Sequence, residues 1–275
     1  MSDFLAQMAQ ASAARVRTAR HELGEGELVA RCDNLAPPPP LRLDARGFDL
    51  IAEVKLRSPA AGSLAPAASD VASRVAAYAR AGAAAVSVLT EPSRFDGELA
   101  HLAAAAAQLV PLKVPAMRKD FLVDPYQVLE ARAAGAGGVL LILRMLSRPQ
   151  LDALLACACE QGLFVLLEAF DAQDLELMRE LVGAHRGANQ LLAGVNCRDL
   201  TSLKVVPGRL RQLAPLLPHG VPGVAESGVA SAADAREAAA AGYALALVGS
   251  ALMQGADPQT LAQGLLAAGR AARKA

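Results

Sequence analysis

The sequence contains few aromatic side chains, no net charge and no long apolar run. Aromatic residues make up 3% of the 275 residues and tryptophan is absent, so aliphatic side chains must build the core. The 27 basic and 27 acidic side chains cancel. Together with the lack of a basic run, this balance argues against nucleic acid or an anionic membrane surface as a partner. No apolar run reaches the ~20 residues that a membrane span needs.

Export signals and metal-binding spacings are missing as well. Charged side chains interrupt the N-terminal region, where no apolar core of a signal peptide can be drawn. The four cysteines are therefore expected to remain reduced thiols. Cys157 and Cys159 are too close together for a zinc knuckle, and no second pair complements them. We expect a cytoplasmic protein without a metal site.

The apolar residues that are present follow a regular rhythm. Hydrophobic residues make up 53% of the chain, enough for a packed core, and this excludes intrinsic disorder. Short runs with β propensity recur at roughly the spacing of a βα unit. The eight runs are Leu50–Val54, Ala85–Leu89, Val114–Met117, Val139–Leu143, Phe164–Leu167, Leu192–Val195, Val221–Ala225 and Leu245–Val248.

Stretches of helical character rich in alanine and leucine separate these runs. Strict alternation of strand and helix predicts a parallel sheet, and eight units are what a closed (βα)8 TIM barrel requires. A doubly wound sheet is the alternative, but its G-x-G-x-x-G fingerprint is missing after the first strand. We predict a helical extension with a proline-rich spacer over residues 1–47 and the barrel over residues 48–275, in a single domain overall.

Polar side chains follow most of the predicted strands. In such a barrel the carboxyl ends of the strands form one rim, where the chemistry of these folds is found. Each of these residues alone would be typical of a solvated loop. Closure of the barrel, however, would bring Lys55, Lys119, Glu168 and Asn196 around one mouth. Lysines and carboxylates in such a group can tune one another's pKa for proton transfer.

The last two predicted strands end in small residues. Ser227 and Gly228 follow the seventh strand, and Gly249 and Ser250 follow the eighth. Glycine lets backbone N–H groups approach an anion, and a helix N-terminus favours negative charge. Either pair alone is typical of a turn. Together, at the two units where such barrels often hold phosphate, they favour a phosphorylated small-molecule substrate.

Short motifs follow one another in order along the predicted barrel. They are IAEVK at 51–55 with SP at 58–59, SVLTE at 87–91, RKDF at 118–121, GVN at 194–196, AESG at 225–228 and LVGS at 247–250. Taken in this order, the motifs resemble those of the indole-3-glycerol phosphate synthase family. The resemblance runs from about residue 48 to about residue 255, and the helical N-terminal segment fits the family's extension.

The resemblance implies an activity and a role for several residues. The family closes 1-(2-carboxyphenylamino)-1-deoxyribulose 5-phosphate into the indole ring of indole-3-glycerol phosphate, with loss of carbon dioxide and water, in tryptophan biosynthesis or a related indole pathway. Lys119 would be the general acid and Glu168 the acid/base carboxylate. Lys55 would hold the substrate carboxylate and take part in dehydration. Glu53 and Asn196 would orient these groups.

The same resemblance assigns binding residues to the two ends of the substrate. Phe95, Phe121 and Leu141 would pack on the aromatic ring. No metal or organic cofactor is implied, and we expect a monomer. The residues assigned to the substrate and its phosphate are Ser58, Arg198, Glu226, Ser227, Gly228, Gly249 and Ser250. The chain departs from the family pattern at Ala60 and Cys197, and neither change removes an acid or a base.

Two other functions remain open from the residues alone. One is another phosphosugar barrel enzyme, such as a relative of phosphoribosylanthranilate isomerase. That enzyme requires a cysteine or aspartate base near the first strand, where this chain has Lys55. The other is a catalytically silent barrel that serves as a binding partner. The presence of Lys55, Lys119 and Glu168 together argues against it.

Overall fold

A closed barrel of parallel strands forms the centre of the protein. The computed structural model describes residues 3–59, 62–64, 71–185, 187, 190–200 and 202–273. Ala60, one of the two positions that depart from the family pattern, lies outside the described residues. The barrel strands are β1 (Asp49–Val54), β2 (Ala85–Leu89), β3 (Ala116–Lys119), β4 (Gly138–Ile142), β5 (Phe164–Ala169), β6 (Leu191–Asn196), β7 (Gly223–Glu226) and β8 (Leu245–Val248).

Among the described residues, these eight strands pair in chain order, and β8 pairs with β1 to close the ring. All eight pairings are parallel. The predicted TIM barrel is therefore confirmed. A short antiparallel hairpin, Arg57–Ser58 against Gly62–Ser63, follows β1 at the mouth of the barrel.

Helices surround the barrel and precede it. Their bounds are α1 (Asp3–Glu22), α2 (Glu25–Asp33), α3 (Val71–Ala81), α4 (Pro92–Phe95), α5 (Leu99–Leu109), α6 (Pro125–Ala133), α7 (Arg148–Glu160), α8 (Ala172–Ala184), α9 (Arg209–Leu213), α10 (Ala232–Ala240), α11 (Ser250–Gln254) and α12 (Pro258–Arg273). No helix in the described ranges combines the length and the apolar character that a membrane crossing demands.

Two strands begin two residues later than predicted, and proline is the reason. β3 starts at Ala116, after Pro115, and β7 starts at Gly223, after Pro222. Proline has no N–H group to donate to a neighbouring strand, so regular pairing begins only after it. The carbonyl of Pro115 still accepts a hydrogen bond of 3.0 Å from the Val86 N–H.

The helical extension packs on the barrel through two apolar contacts. Leu5 and Met8 of α1 belong to the main hydrophobic core. Further along, Leu28 of α2 packs in a smaller cluster around Tyr126 of α6. The Tyr126 hydroxyl lies 3.0 and 2.9 Å from the carbonyl oxygens of Ala19 and Leu23, at the end of α1, and shares its single proton between them. The extension is thus held at both ends of α1.

The C-terminal helix fastens the first strand. Arg270 of α12 donates hydrogen bonds of 2.9 Å to the Phe48 carbonyl and to Asp49 Oδ1. The Phe48 ring lies fully buried against α12, at Gly269. Because β1 also pairs with β8, this contact holds the first and last barrel units together.

We expect Gly269→Ala to destabilise the protein, although a glycine-to-alanine change inside a helix usually stabilises. In a helix interior this change normally stabilises by ~1 kcal/mol. Here the added methyl carbon would lie 2.1 Å from the Phe48 ring, and such overpacking costs ~1–3 kcal/mol. Gly264→Ala, in the same helix with nothing within 4 Å of the new carbon, is the matched control and should stabilise. Urea denaturation measures both, and equal effects would contradict the prediction.

Candidate active site

The mouth of the barrel contains a pocket of about 320 Å³ at the carboxyl ends of the strands. It brings together the predicted site residues with one exception. Those that line it are Glu53, Lys55, Ser58, Phe95, Lys119, Phe121, Glu168, Asn196, Arg198, Glu226, Ser227, Gly228, Gly249 and Ser250. Residues far apart in sequence meet here because every parallel strand ends at the same rim.

Leu141 is the exception, and its predicted place on the aromatic ring of a substrate is wrong. Side chains of a strand point alternately to its two sides. Leu140 and Ile142 of β4 line the pocket, so Leu141 between them points away from it, where it is fully buried in the core. A shift of one residue along a strand exchanges the two sides.

Lys119 lies between two carboxylates. Its Nζ is 3.6 Å from Glu168 Oε2 and 3.6 Å from Glu226 Oε2. Burial alone would lower the pKa of Lys119, but the negative charges of Glu168, Glu226 and Glu53 outweigh it and raise the pKa above its usual value. The ammonium group therefore stays protonated at neutral pH and is available as a proton or hydrogen-bond donor.

Glu226 is the most deeply buried acid of the group, with 1% of its surface exposed. The family resemblance assigns it to the substrate- and phosphate-binding residues, and the structure places its carboxylate beside Lys119. Burial, reinforced by the charge of Glu168, raises the pKa of Glu226 to about 8, against the opposing effect of Lys119. The glutamate can thus carry a proton near neutral pH.

A glycine on the neighbouring strand makes room for this glutamate. Gly194 of β6 pairs with Val224 of β7, and a Cβ atom at Gly194 would lie 2.1 Å from Glu226 Oε1. Any side chain there would push the carboxylate out of its position beside Lys119. The family motif at 194–196 contains this glycine, but the sequence offered no reason for it.

Glu168 is held by an amide. The Nδ2 group of Asn196 donates a hydrogen bond to Glu168 Oε1. The Asn196 Oδ1 atom in turn accepts a hydrogen bond of 2.9 Å from the backbone N–H of Arg198, which sets the orientation of the amide. Glu168 Oε1 is thus engaged, while Oε2 faces Lys119.

Lys55 and Glu53 form a second ion pair at the end of β1, with 2.6 Å between Nζ and Oε1. A Cβ atom at Gly249 would lie 2.3 Å from that same Oε1 and 3.0 Å from the Lys55 Nζ. The sequence predicts that Gly249 lets an anion approach the backbone, and the structure gives this glycine a second role. It leaves the space that the Lys55–Glu53 pair occupies.

The two predicted anion-binding pairs differ in their local structure. Ser227 and Gly228 both have left-handed backbones, with φ of 62° and 79°, and line the pocket. The following helix, α10, starts only at Ala232, and its N-terminus is closed by a capping box of Ser231 and Asp234. Only the pair at residues 249 and 250 leads directly into a helix, as predicted for both.

Helix α1 supplies a wall of the pocket that the sequence did not predict. Phe4 and Leu5 line it. The Phe4 ring meets Phe121 edge-on, with centroids 5.9 Å apart, and the Phe95 centroid lies 6.2 Å from that of Phe121. The sequence predicts a helical extension, but nothing in the sequence indicates that this helix lies over the barrel mouth.

Several acidic oxygens in the pocket have no hydrogen-bond donor within the ranges that the structure describes. They are Glu53 Oε2, Glu168 Oε2 and both carboxylate oxygens of Glu226. Of these, Glu168 Oε2 and Glu226 Oε2 lie 3.6 Å from the Lys119 ammonium group, at ion-pair distance. Buried acceptors without donors are rare, and each calls for an explanation. Their convergence on one pocket indicates a site built to receive a polar ligand or to exchange protons. No cluster of three or more metal-ligating side chains occurs in the described part of the chain.

Comparison with known proteins identifies close relatives. A family model described as indole-3-glycerol phosphate synthase matches residues 5–265. The chain is 45% identical to the indole-3-glycerol phosphate synthase of Parafrankia sp. over 227 residues, covering 82% of this chain and 81% of that protein. It is 38% identical to the protein of the same name from Mycolicibacterium smegmatis, covering 91% of each.

Solved structures show a likeness of fold alone. The chain superposes on 3-hexulose-6-phosphate synthase from Salmonella typhimurium with a TM-score of 0.60 and 16% sequence identity, covering 80% of this chain and 97% of that one. The chain superposes on thiamine phosphate pyrophosphorylase from Pyrococcus furiosus with a TM-score of 0.59 and 18% sequence identity, covering 83% of this chain and 99% of that one.

Glu226 should make the stability of the protein depend on pH. Its pKa is raised in the folded chain, so the folded state binds the proton more tightly, and stability should decrease as the pH rises from about 4.5 to about 8. Glu226→Gln should reduce this decrease by more than ~1.4 kcal/mol, the equivalent of one pKa unit. Thermal unfolding across this range tests it. Exposed Glu176→Gln is the control, and an unchanged pH profile in Glu226→Gln would refute the assignment.

Proposed function

The chain belongs to the indole-3-glycerol phosphate synthase family, and we propose that Lys119, Glu168 and Lys55 carry out the family's reaction at the barrel mouth. The activity is that of a carboxy-lyase in tryptophan biosynthesis. The substrate is a phosphorylated small molecule, 1-(2-carboxyphenylamino)-1-deoxyribulose 5-phosphate. Ring closure onto its ketone produces the indole ring, with loss of carbon dioxide and water.

The position of Lys119 is the observation that carries this proposal. Closing a ring on a ketone places negative charge on the ketone oxygen, which an acid must neutralise. Lys119 is a partly buried ammonium group that two carboxylates keep protonated at 3.6 Å. Aimed into the pocket, it can donate to the ketone oxygen as the new bond forms. Glu226 beside it can hold a proton near neutral pH.

Dehydration requires a base and an acid at other atoms of the substrate. Glu168 has one oxygen fixed by Asn196 and the other without a hydrogen-bond donor in the described part of the chain. It can therefore accept a proton and return it. Lys55, paired with Glu53 at 2.6 Å, can bind the carboxylate that leaves as carbon dioxide and then assist loss of the hydroxyl group.

The two ends of the pocket suit the two ends of the substrate. We place the aromatic ring between Phe95, Phe121 and Phe4, with Leu140 in the place first given to Leu141. The phosphate belongs at the opposite side of the ring of strands, where β6, β7 and β8 end. The residues assigned there are Arg198, Ser227, Gly228, Gly249 and Ser250, and Ser58 lines the pocket from the hairpin after β1.

We further propose that the chain acts as a monomer in the cytoplasm, without a metal or organic cofactor. One chain supplies every residue assigned above, so the site requires no partner subunit. None of the four cysteines forms a disulfide, which suits a reducing compartment. Light scattering of the purified protein, with and without substrate, tests the oligomeric state.

The activity itself is tested by incubating the purified protein with 1-(2-carboxyphenylamino)-1-deoxyribulose 5-phosphate and following indole fluorescence. We expect product formation in buffer treated with a chelator and without added cofactor. Substrate binding without product would instead favour a catalytically silent barrel.

Lys119→Met should lower kcat by about 10²–10⁴, the usual contribution of a general acid, while the protein stays folded by circular dichroism. Methionine preserves most of the side-chain volume but cannot donate a proton. Lys113→Met removes an exposed lysine at the other end of β3 and should leave kcat unchanged. Survival of kcat within a few-fold in Lys119→Met would show that another group is the acid.

Glu168→Gln should retain substrate affinity and lose turnover, because the amide keeps the shape of the carboxylate but cannot exchange a proton. We expect kcat to decrease at least ~100-fold with little change in KM. The exposed Glu160→Gln is the control. A variant that lost affinity and kept kcat would assign Glu168 to binding.

A further inference from the structure

Helix α1 is fastened to the two residues that follow Lys119. The Ser12 hydroxyl donates a hydrogen bond of 2.5 Å to the Phe121 carbonyl. One turn further on, Arg15 Nη2 lies 2.6 Å from Asp120 Oδ1. These contacts join positions more than 100 residues apart in sequence. They connect the helical extension directly to the end of the strand that carries the proposed acid.

Asp120 is a buried carboxylate with partners on both oxygens. Its Oδ1 accepts from Arg15 and from the Phe121 N–H at 2.8 Å, while Oδ2 accepts from the Thr90 hydroxyl at 2.8 Å and Arg118 at 3.1 Å. The burial that would raise the pKa of Asp120 is outweighed by the two guanidinium groups, so the pKa is lowered. Arg15 is the only one of these partners that lies outside the barrel, so the extension supplies one of its two positive charges.

A second set of hydrogen bonds supports Ser12. Gln127 Nε2 donates a hydrogen bond of 2.8 Å to the Ser12 hydroxyl, and Gln127 Oε1 accepts one of 2.8 Å from the Val123 N–H. Gln127 and Ser12 are both buried. The segment between Lys119 and α6 is thus clamped from α1 on one side and from α6 on the other.

The fastened part of α1 lies two to three turns after the part that lines the pocket. Phe4, Met8, Ser12 and Arg15 recur at helical spacing and share one face of the helix. The Phe4 ring packs edge-on against the ring of Phe121, whose carbonyl Ser12 holds. One rigid helix therefore sets the distance between the two rings.

We propose that Arg15 and Ser12 are positioning residues that, through Asp120 and Phe121, hold the aromatic wall of the pocket in place for the aryl end of the substrate. This inference rests on the function proposed above. The phosphate end should be insensitive to them, because β3 and β7 stand on opposite sides of the eight-stranded ring. Loss of the clamp should therefore weaken recognition of one end of the substrate and spare the other.

The test compares two ligands across matched variants. One is the substrate with its ketone reduced to an alcohol, which keeps the aryl and phosphate groups but cannot undergo ring closure. The other is inorganic phosphate. Binding of both is measured by calorimetry, and KM and kcat are measured with the substrate itself. The variants are Arg15→Met, Arg15→Lys and Ser12→Ala, with Arg17→Met as the control, since Arg17 is an exposed arginine of the same helix.

For Arg15→Met we expect KM and the Kd of the reduced analogue to increase at least 10-fold. The Kd of phosphate should change less than twofold and kcat less than about threefold. Ser12→Ala should show the same pattern. Arg15→Lys, which keeps the charge next to Asp120, should recover most of the affinity, and Arg17→Met should match the parent protein.

Two results would overturn the inference. In one, Arg15→Met binds the reduced analogue as tightly as the parent protein does. In the other, both ligands weaken together along with a lower melting temperature, which means that Arg15 only stabilises the fold. Failure of the proposed function is distinguishable from both. The unmodified protein would then bind phosphate and the reduced analogue normally or not at all, but would form no indole product from the substrate.

Discussion

Keeping the partly buried Lys119 ammonium group charged is the constraint on which the rest of the site depends. Removing a charge from water costs several kcal/mol unless opposite charges compensate it. Glu168 and Glu226 provide that compensation at 3.6 Å. Two acids close to one base leave excess negative charge, which raises the pKa of Glu226 so that it can carry a proton. In this arrangement Lys119 carries a proton at neutral pH and Glu226 beside it can carry one as well.

The positions of these charged side chains also depend on the room that two glycines leave beside them. Long acidic side chains can converge on the barrel axis only where neighbouring strands leave room for them. Gly194 leaves that room for Glu226, and Gly249 leaves it for the Lys55–Glu53 pair. At both positions a methyl group would overlap a carboxylate oxygen. These glycines therefore determine where the charges lie, although they contribute no functional group.

The helical extension completes the pocket on the side of β2 and β3. Its first turn adds Phe4 to the aromatic wall, while Arg15 neutralises part of the charge at Asp120 next to Lys119. The extension is thus joined to the barrel by apolar packing and by buried polar contacts. Polar contacts have stricter geometry than apolar packing, which suits a wall that must stand at a set distance from a reacting group.

Much of the fold and the polar part of the site could be predicted from the sequence, because strand propensity, turn residues and the order of strands and helices are local properties. Once eight units imply a closed barrel, residues at strand ends such as Lys55 and Lys119 must meet at one rim. Other features depended on tertiary structure. Which of Leu140 and Leu141 faces the pocket depends on the register of β4 in the barrel, and the contact between Phe4 and Phe121 joins distant parts of the chain. The raised pKa of Glu226 depends on burial among groups from several strands, which local sequence does not encode.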